Sequence, residues 1–410
     1  MKFDDYYIAP QIKKNLALLG FKNPTDIQFK SIPSILKGED VLAIAQTGTG
    51  KTAAFAIPII NNIQASKIKN RRDGVKCLVM VPTRELAIQV AEVFTEIARF
   101  TDVTTFCIYG GVEQQSQIEK LEYGVDILVA TPGRMFDMIS QGYLRLHRIN
   151  TLILDEADHM LDLGFIEDIT DIKSKLKQRH QTLFFSATIN KDIKRLAYSL
   201  VSNAIRIQVS PKDPVSENVS HSVVFVEMDD KRFFLERFLK DNPDSKVLVF
   251  VRTKVRAERV LKAMERVGLN STTLHGDKEQ HERATLLGDF KTGKSKVLIA
   301  TDISARGIDV PNVDFVINYD LPDKSENYVH RVGRTGRGSQ KGQAISFCSK
   351  DEKIILDNIE GFLGNKIEIM TVSNQDYTET KALSGFGSDD WQSLLELDEK
   401  LEKKKKKKSN

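Results

Sequence analysis

The chain has 410 residues, of which 41% are hydrophobic and 28% are charged, and its formal net charge at pH 7 is +4. This length predicts two domains, since a single core rarely grows so large, and no apolar run reaches the roughly 18 residues of a membrane-spanning helix. Six consecutive lysines at 403–408 account for the positive charge, because 54 basic residues face 56 acidic ones without them. We therefore expect any bound nucleic acid to occupy a local groove and not a broadly positive surface.

Two further features predict a cytoplasmic protein. The N-terminal residues MKFDDYYIAP lack the basic and apolar pattern of a signal peptide. The three cysteines, Cys77, Cys107 and Cys348, lie far apart and are expected to be reduced core residues. We expect a monomer with no membrane association.

In the first half of the chain, short apolar runs alternate with helix-like segments such as 84–100. Predicted strands are the runs at 40–45, 77–81, 104–109, 126–130, 151–155 and 182–188. Continuous apolar runs are typical of strands buried on both faces, as in parallel sheets. The alternation therefore predicts a doubly wound α/β domain over residues 1–207.

The alternation stops at residues 208–220, where two prolines and three serines indicate a linker. It resumes with further predicted strands at 222–228, 246–251, 271–275, 296–301, 314–319 and 342–347. These runs predict a second α/β domain over residues 221–364. Residues 365–410 are expected to be a tail that ends in the lysine run.

The segment AQTGTGKT at 45–52 follows a predicted strand and precedes a helical pattern, which is the setting of a phosphate-binding loop. Its glycines let backbone N–H groups converge on phosphate oxygens. Lys51 is placed to reach the β- and γ-phosphates and Thr52 to hold Mg²⁺. Ala45 stands where the strict motif has glycine, and the alternative is an ordinary glycine-rich turn, but the flanking strand and helix favour the loop.

The strand TLILD at 151–155 leads into the carboxylates of DEAD at 155–158. Strand carboxyl ends point towards the ligand crevice of an open α/β sheet. Asp155 can then hold Mg²⁺ through water, and Glu156 can orient and deprotonate an attacking water. An acidic helix N-terminus explains these residues equally well by itself, but together with the phosphate loop they indicate nucleotide hydrolysis.

The segment HRVGRTGRG at 330–338 concentrates Arg331, Arg334 and Arg337 among glycines, and no anion lies near them in the sequence. Glycine is a poor helix residue, so part of this segment is expected to be a loop or a frayed helix end. The arginines predict an anion that reaches them from elsewhere.

These motifs together resemble those of the DEAD-box RNA helicases of superfamily 2. The resemblance spans roughly residues 3–350 and rests on ordered blocks: GFKNPTDIQ (20–28), AQTGTGKT (45–52), PTRELA (82–87), GG (110–111), TPGR (131–134), DEAD (155–158), SAT (186–188), VFVRT (249–253), HGDKEQHER (275–283), ATDISARGID (300–309) and HRVGRTGR (330–337). Within this family Ala45 is not a departure. The resemblance implies two tandem RecA-like domains joined by a flexible linker, and the lysine run predicts a basic C-terminal tail.

The resemblance also implies a site for ATP and Mg²⁺ that both domains complete. Gln28 would read the N6 and N7 edge of adenine, and Phe21 would stack on the base unless it is a core residue. The triphosphate would contact Thr47, Gly48, Thr49, Gly50, Lys51 and Thr52, with Mg²⁺ held by Thr52 and Asp155. The implied catalytic residues are Glu156, Arg334, Arg337, Lys51 and Asp155.

Other residues receive supporting roles from the same resemblance. Asp309 would help to position the attacking water, and Arg331 would support the loop or the interface. Ser186 and Thr188 would couple the nucleotide and RNA sites. His275 and His330 have no metal-ligand spacing and are expected to pack or to form hydrogen bonds.

An RNA surface across both domains is likewise implied. Its expected residues are Arg84, Gly110, Gly111, Thr131 and Arg134 in the first domain and Arg252, Thr253, Gln280, Arg283 and Thr301 in the second. Contacts to phosphate and sugar carry little sequence preference. Arg84 and Arg283 have the alternative of being ordinary surface residues on helices.

The implied function is an ATP-dependent RNA helicase in which closure of the domains bends RNA and opens short duplexes. An ATP-gated RNA clamp would share every motif, and a DNA helicase or translocase is the other alternative. A short chain with a basic tail looks most like the bacterial RhlE-type members of the family. This resemblance suggests ribosomal or RNA-decay proteins as partners. The alternative is a member that resembles eukaryotic translation factors. The lysine run would add affinity for RNA or only solubility.

Overall fold

The computed structural model describes residues 2–46, 48–67, 74–209, 215, 218–302, 310, 312–336 and 341–383. Three predicted site residues, Thr47, Asp309 and Arg337, lie outside these ranges, as do most of the predicted linker and the lysine run. None of the described helices is both long and apolar enough to cross a membrane.

The first domain contains a seven-stranded parallel sheet in the order β3-β4-β2-β5-β6-β1-β7. Its strands are β1 (Val41–Ala45), β2 (Cys77–Met80), β3 (Thr105–Ile108), β4 (Ile127–Ala130), β5 (Thr151–Leu154), β6 (Gln181–Ser186) and β7 (Ile205–Val209). A short 3-10 helix (Phe3–Asp5) precedes helices α1 (Pro10–Leu18), α2 (Asp26–Leu36), α3 (Lys51–Ser66), α4 (Arg84–Ala98), α5 (Gln115–Tyr123), α6 (Pro132–Ser140), α7 (Ala157–Asp162), α8 (Ile166–Lys175) and α9 (Lys191–Leu200).

The second domain has the same architecture, with strand order β10-β11-β9-β12-β13-β8-β14. Its strands are β8 (Val219–Phe225), β9 (Val247–Val251), β10 (Thr272–Leu274), β11 (Val297–Thr301), β12 (Phe315–Asn318), β13 (Gly342–Cys348) and β14 (Glu368–Ile369). Its described helices are α10 (Lys231–Asp241), α11 (Lys254–Arg266), α12 (Gln280–Thr292), α13 (Ser325–Val332), a 3-10 turn (Lys350–Glu352), α14 (Lys353–Leu363) and α15 (Asn374–Leu383).

Each sheet separates two hydrophobic cores, and β1 shows how the sequence produces this arrangement. Val41 and Ala43 pack into the core on one face, whereas Leu42 and Ile44 pack into the core on the other. Successive side chains of a strand point to opposite faces, so a strand covered by helices on both sides must be apolar throughout. Because β5, β6 and β1 are neighbours, the loops that follow them meet at one edge of the sheet.

The predicted α/β class is confirmed, and every predicted strand is present. Two strands were missed, and both lie at sheet edges. In β7, apolar and polar residues alternate and only Ile207 is fully buried, which is a weaker signal than the continuous apolar run of a central strand. β14 has only two residues, which is too short for any periodicity.

The predicted start of the tail at residue 365 needs correction, because the second domain continues to Leu383. β14 pairs in parallel with β8, and α15 then packs against α10. Tyr377 lies at the centre of this contact: its hydroxyl donates to Asp230 Oδ2 at 2.9 Å, and its ring lies 5.0 Å from that of Phe234. The domain limits also move, since β7 extends to Val209 and β8 begins at Val219.

Candidate active site

The loop between β1 and α3 has the features of an anion site. Gly48 and Gly50 adopt left-handed conformations, with φ of 83° and 87°, that favour glycine. Lys51 begins α3 and is only 7% exposed, and its Nζ atom has no hydrogen-bond partner among the described residues. A buried ammonium group without a partner, at the N-terminus of a 16-residue helix, fits the terminal phosphates of a nucleotide. Thr52 follows in the first turn.

The N-terminus of α2 holds this loop in place. Thr25 Oγ1 donates to the carbonyl of Thr49 at 2.8 Å, and Gln28 Nε2 donates to the carbonyl of Gly50 at 3.2 Å. The Gln28 carbonyl also accepts from the Thr25 backbone N–H at 3.0 Å, as in a capping box. A Cβ atom on Gly50 would lie 2.5 Å from Gln28 Nε2, so glycine is required there. These bonds leave one N–H and one lone pair of the Gln28 amide unused, and its contact with adenine stays a prediction.

Phe21 packs within the protein in this structure. Its ring makes an edge contact with Phe3, with centroids 5.9 Å apart, and lies against the core of the first domain. This contact favours the packing alternative, and stacking on a base stays a prediction.

The carboxylates after β5 have opposite electrostatic environments although they are adjacent. Burial raises the pKa of Asp155 to about 6, and the nearby charge of Lys51 only partly offsets this effect. Burial also opposes ionisation of Glu156, but His159, Arg334 and Lys51 together hold its pKa below the ordinary range. Neighbouring carboxyl groups with separated pKa values are typical of catalytic sites.

Glu156 is also held in an unusual backbone conformation. It is the N-cap of α7, with φ of 53° and ψ of 48°, and its carbonyl accepts the first hydrogen bond of the helix, from the N–H of Met160. A left-handed conformation costs an ordinary residue about 1–2 kcal/mol, and such strain is concentrated at functional sites.

Asp158 connects this carboxylate pair to the segment SAT and to the second domain. Its Oδ2 atom accepts from the backbone N–H groups of Ala187 and Thr188, at 3.1 and 3.0 Å, and from the Thr188 hydroxyl at 3.1 Å. Ser186 Oγ donates in turn to the Thr188 carbonyl. His330 Nε2 of the second domain lies 3.8 Å from the same Asp158 oxygen. One carboxylate thus links both domains with the end of β6.

The arginines of the second domain divide into two environments. Arg331 is buried on α13, where Nη2 donates to Asp302 Oδ2 at 2.8 Å and the guanidinium group lies 5.1 Å from the Phe250 ring centroid. Its contacts therefore lie within the second domain, whereas support of the loop or the interface was expected. Arg334 follows the helix, and its charge acts on Glu156 of the first domain. Of these two described arginines, Arg334 is the one whose charge affects the carboxylates of the first domain.

Among the described residues, no group of three or more His, Cys, Asp or Glu side chains could hold a metal ion by itself. Asp155 supplies one carboxylate and Thr52 one hydroxyl beside the buried Lys51. Mg²⁺ typically binds one or two carboxylates together with substrate phosphates and water, so these residues fit that ion when a nucleotide is bound.

Two family models match the chain: DEAD/DEAH box helicase over residues 25–196, and helicase conserved C-terminal domain over residues 230–339. The structure of S. cerevisiae Dbp5 bound to RNA and ADP BeF3 is 32% identical in sequence, has a TM-score of 0.83 and covers 93% of this chain and 98% of that one. The chain belongs to the DEAD-box helicase family.

Curated relatives in the family are longer. The ATP-dependent RNA helicase DeaD of Buchnera aphidicola is 40% identical over 387 residues, which are 94% of this chain and 63% of that protein. The ATP-dependent RNA helicase DBP2 of Ajellomyces capsulatus is 40% identical over 354 residues, which are 85% of this chain and 65% of that protein. The chain therefore spans less than two thirds of their length.

Two Dbp5 complexes differ in how well their domain arrangement matches that of this chain. A variant of S. cerevisiae Dbp5 bound to Nup159, Gle1, IP6 and ADP is 31% identical and covers 92% of this chain and 98% of that one, but its TM-score is 0.62. Because both structures contain essentially the same protein, the gap from 0.83 reflects conformation. This chain adopts the arrangement that is closer to the complex with RNA and ADP BeF3.

Several residues that were predicted to contact RNA contact other side chains of this DEAD-box protein in the structure. Arg283 Nε and Nη2 lie 2.9 and 2.7 Å from Glu85 Oε1 of the first domain. Gln280 Oε1 accepts from Arg84 Nη1 at 3.3 Å. Arg283 and Gln280 therefore make interdomain contacts in this structure, and their contacts with RNA stay predictions. The alternative that Arg283 is an ordinary surface residue is wrong.

Gly111 has a structural reason to be glycine. A Cβ atom there would lie 2.1 Å from Arg84 Nη1, and φ is +78°. The residue therefore gives space to an arginine of its own domain, and its contact with RNA stays a prediction. A Cβ atom on Gly110 would lie 3.9 Å from Arg84 Nη2, which is an ordinary contact distance.

The remaining predicted contacts stay available to a ligand to different degrees. Arg134 Nη2 donates to the Val112 carbonyl at 2.9 Å, while its Nε and Nη1 atoms are buried without hydrogen bonds among the described residues. Thr131 is the N-cap of α6. These features fit a phosphate at the N-terminus of that helix, and the RNA contact of Arg134 and Thr131 stays a prediction.

In the second domain, Arg252 is partly neutralised, because Nη2 lies 3.0 Å from Glu352 Oε1 and Nε lies 3.2 Å from Asp323 Oδ1. Thr253 caps α11 by accepting from the Arg256 N–H. Thr301 is buried at the end of β11. RNA contacts by these three residues stay predictions.

Sequence reasoning missed residues that connect the motifs. Thr25 was detectable, because threonine three residues before glutamine is the signature of a capping box. Glu85 and the Asp158 contacts had no sequence signal of their own, since their partners lie far away along the chain. The ion pair of Lys324 with Asp162, at 2.6 Å between the domains, was missed for the same reason.

Proposed function

We propose that this chain is an ATP-dependent RNA helicase that binds RNA across two domains and hydrolyses ATP. In this proposal it locally unwinds short RNA duplexes or remodels RNA–protein complexes. The observation that carries the proposal is the contact between the domains beside the carboxylates, where His330 Nε2 of the second domain lies 3.8 Å from Asp158 Oδ2 of the first, and the charge of Arg334 lowers the pKa of Glu156 across the same interface. A hydrolytic site that needs both domains makes ATP turnover depend on whatever closes them.

The first domain binds the triphosphate. Lys51 provides a buried positive charge for the terminal phosphates, and the backbone N–H groups of the loop surround them. Thr52 and Asp155 would hold Mg²⁺, which would offset phosphate charge. Gln28 reads adenine with the part of its amide that the loop does not use. Glu156, ionised at neutral pH, orients the attacking water and accepts its proton.

The second domain completes catalysis. Arg334, with the predicted contribution of Arg337, stabilises the charge that develops on the transferred phosphoryl group. Asp309 is proposed to position the attacking water. Asp158 connects this event to the end of β6 through Thr188 and Ser186, and to His330 across the interface.

RNA is the proposed ligand of the surface that both domains share. The resemblance to RNA-bound Dbp5 in domain arrangement supports this choice. Arg134, Thr131, Arg252, Thr253 and Thr301 are the proposed contacts to phosphate and sugar. Closure would hold one strand on a path that an A-form duplex cannot follow. Opening a base-pair step costs about 1–2 kcal/mol by analogy with DNA stacking, so closure can separate only short duplexes.

The decisive experiment compares ATPase stimulation by RNA and DNA oligomers of one sequence. Strong stimulation by RNA alone is expected, and equal stimulation by DNA would contradict the proposal. Glu156→Gln should abolish turnover while RNA remains bound with ATP. Rapid turnover in that variant would remove Glu156 from its role.

A strand-displacement assay with short RNA duplexes separates the helicase from an ATP-gated clamp. Displacement that requires hydrolysable ATP is expected for the helicase, whereas stable RNA binding without displacement would identify a clamp. A monomeric state, a cytoplasmic location and ribosomal or RNA-decay partners stay predictions from the sequence.

A further inference from the structure

His159 has no assigned role, yet it faces Glu156. It is the third residue of α7 and is 2% exposed. Its Nδ1 atom lies 3.5 Å from Glu156 Oε2. That nitrogen is buried and makes no hydrogen bond within the described part of the chain. A buried polar atom without a partner is unfavourable, so an arrangement in which it meets the carboxylate is favoured.

The backbone keeps the two side chains on one face of the helix. Glu156 is the N-cap of α7, and residues three apart on a helix are neighbours at its surface. The left-handed conformation of Glu156 sets the direction of its Cα–Cβ bond. It does not set the rotation of the carboxylate, which decides where each oxygen points.

The other positively charged side chains near Glu156 belong to other elements of the structure. Lys51 approaches from α3 and Arg334 from the second domain, while Asp155 adds negative charge beside it. Both cations are proposed to bind phosphate groups. His159 lies on the helix that Glu156 caps, so their contact involves no residue of the second domain.

We propose that His159 is a positioning residue for Glu156. Its Nδ1–H donates to Oε2 and directs Oε1 towards the attacking water. Both the neutral ring with hydrogen on Nδ1 and the imidazolium ring can make this bond. The inference rests on the proposed function, in which Glu156 is the general base.

Two amide variants test the inference, because each places an N–H near one ring nitrogen. His159→Asn puts its amide close to the position of Nδ1, whereas His159→Gln puts its amide close to Nε2. We expect His159→Gln to lower kcat about 10-fold, since misplacing a catalytic group by about 1 Å can cost up to 100-fold. His159→Asn should stay within about threefold of the wild type. KM for ATP and half-saturation by RNA should change less than about twofold in both.

A wild-type kcat in His159→Gln would overturn the inference. Equal losses in both variants would also overturn it, since they would indicate packing alone, and thermal unfolding of each variant measures that effect. Should His159→Gln not fold, His159→Asn decides alone, because loss of turnover in a folded Asn variant contradicts the proposed hydrogen bond.

Glu156→Gln separates this inference from the proposed function. If Glu156→Gln keeps rapid turnover, the proposed general base is wrong. If it is inactive while His159→Gln is normal, only the role of His159 is wrong. In the Glu156→Gln background, His159→Gln should not lower the residual single-turnover rate further, because the group that it positions is gone.

Discussion

The ion pair between Arg283 and Glu85 allows a quantitative test of domain closure. Its atoms lie 2.7 and 2.9 Å apart, and its side chains are only 11% and 12% exposed. Arg283→Ala leaves a carboxylate buried and unpaired when the domains are together, but hydrated when they are apart. Removing one partner of such a pair costs about 2–5 kcal/mol. We take about 2 kcal/mol, because both groups keep some contact with water, which corresponds to about 30-fold.

The assay measures RNA binding in the presence of a non-hydrolysable ATP analogue, together with RNA half-saturation of the ATPase. Arg283→Ala should weaken both about 30-fold. Thermal unfolding without ligands should change little, since the pair joins two domains and not the core of either. Lys175→Ala is a matched control, because Lys175 pairs with Asp171 within one exposed helix and should have almost no effect.

A double-mutant cycle excludes a direct contact between Arg283 and RNA as the explanation. In Glu85→Ala/Arg283→Ala neither charge is left unpaired, so the double variant should bind RNA better than Arg283→Ala alone. If the two single effects simply add, or if Arg283→Ala binds RNA as well as the wild type, the pair does not control closure.

Three other changes have defined outcomes. Burial raises the pKa of Asp155 from 3.8 to about 6, so without nucleotide or Mg²⁺ the free energy of unfolding should fall as pH rises from about 4 to 6. Asp155→Asn should therefore raise the free energy of unfolding at pH 7.5 by at most about 3 kcal/mol, which a higher thermal midpoint would show. The same variant should have no effect near pH 4. Lys324→Ala removes an exposed interdomain pair with Asp162, and RNA half-saturation should rise about two- to fivefold at low salt and not at high salt. A chain that ends at Leu383 keeps α15 but loses six lysines, and it should bind RNA more weakly at low salt with a smaller salt dependence; unchanged affinity would favour a solubilising tail.

The central part of the fold was predictable because parallel strands buried on both faces have a simple composition. Runs such as 246–251 are apolar throughout, and the structure contains β9 at Val247–Val251. The edges were not predictable in this way. β7 is only partly buried, and the position of α15 depends on Tyr377 reaching Asp230, 147 residues earlier in the chain. Contacts at this separation leave no local periodicity.

The candidate site shows the same division. Loop residues such as Lys51 carry a local signature, because a strand, glycines and a helix N-terminus must follow one another directly. The interface does not carry one. Arg84 and Gln280 are 196 residues apart. Each side chain can form hydrogen bonds with an RNA phosphate as well as with another side chain. Sequence indicated that these residues matter, but only the structure shows that they contact each other.

Glu156 connects these observations, because its charge belongs to both the chemistry and the interface. Arg334 lowers its pKa from the opposite domain, and by linkage the ionised carboxylate must favour domain closure by the same free energy. Glu156→Gln therefore removes an attraction between the domains at the same time as it removes the base. Tight RNA binding by that variant with ATP would thus have to come from blocked hydrolysis, and with a non-hydrolysable analogue the variant should bind RNA no better than the wild type. Stronger binding with the analogue would show that the carboxylate opposes closure, and the assigned direction of the Arg334 effect would be wrong.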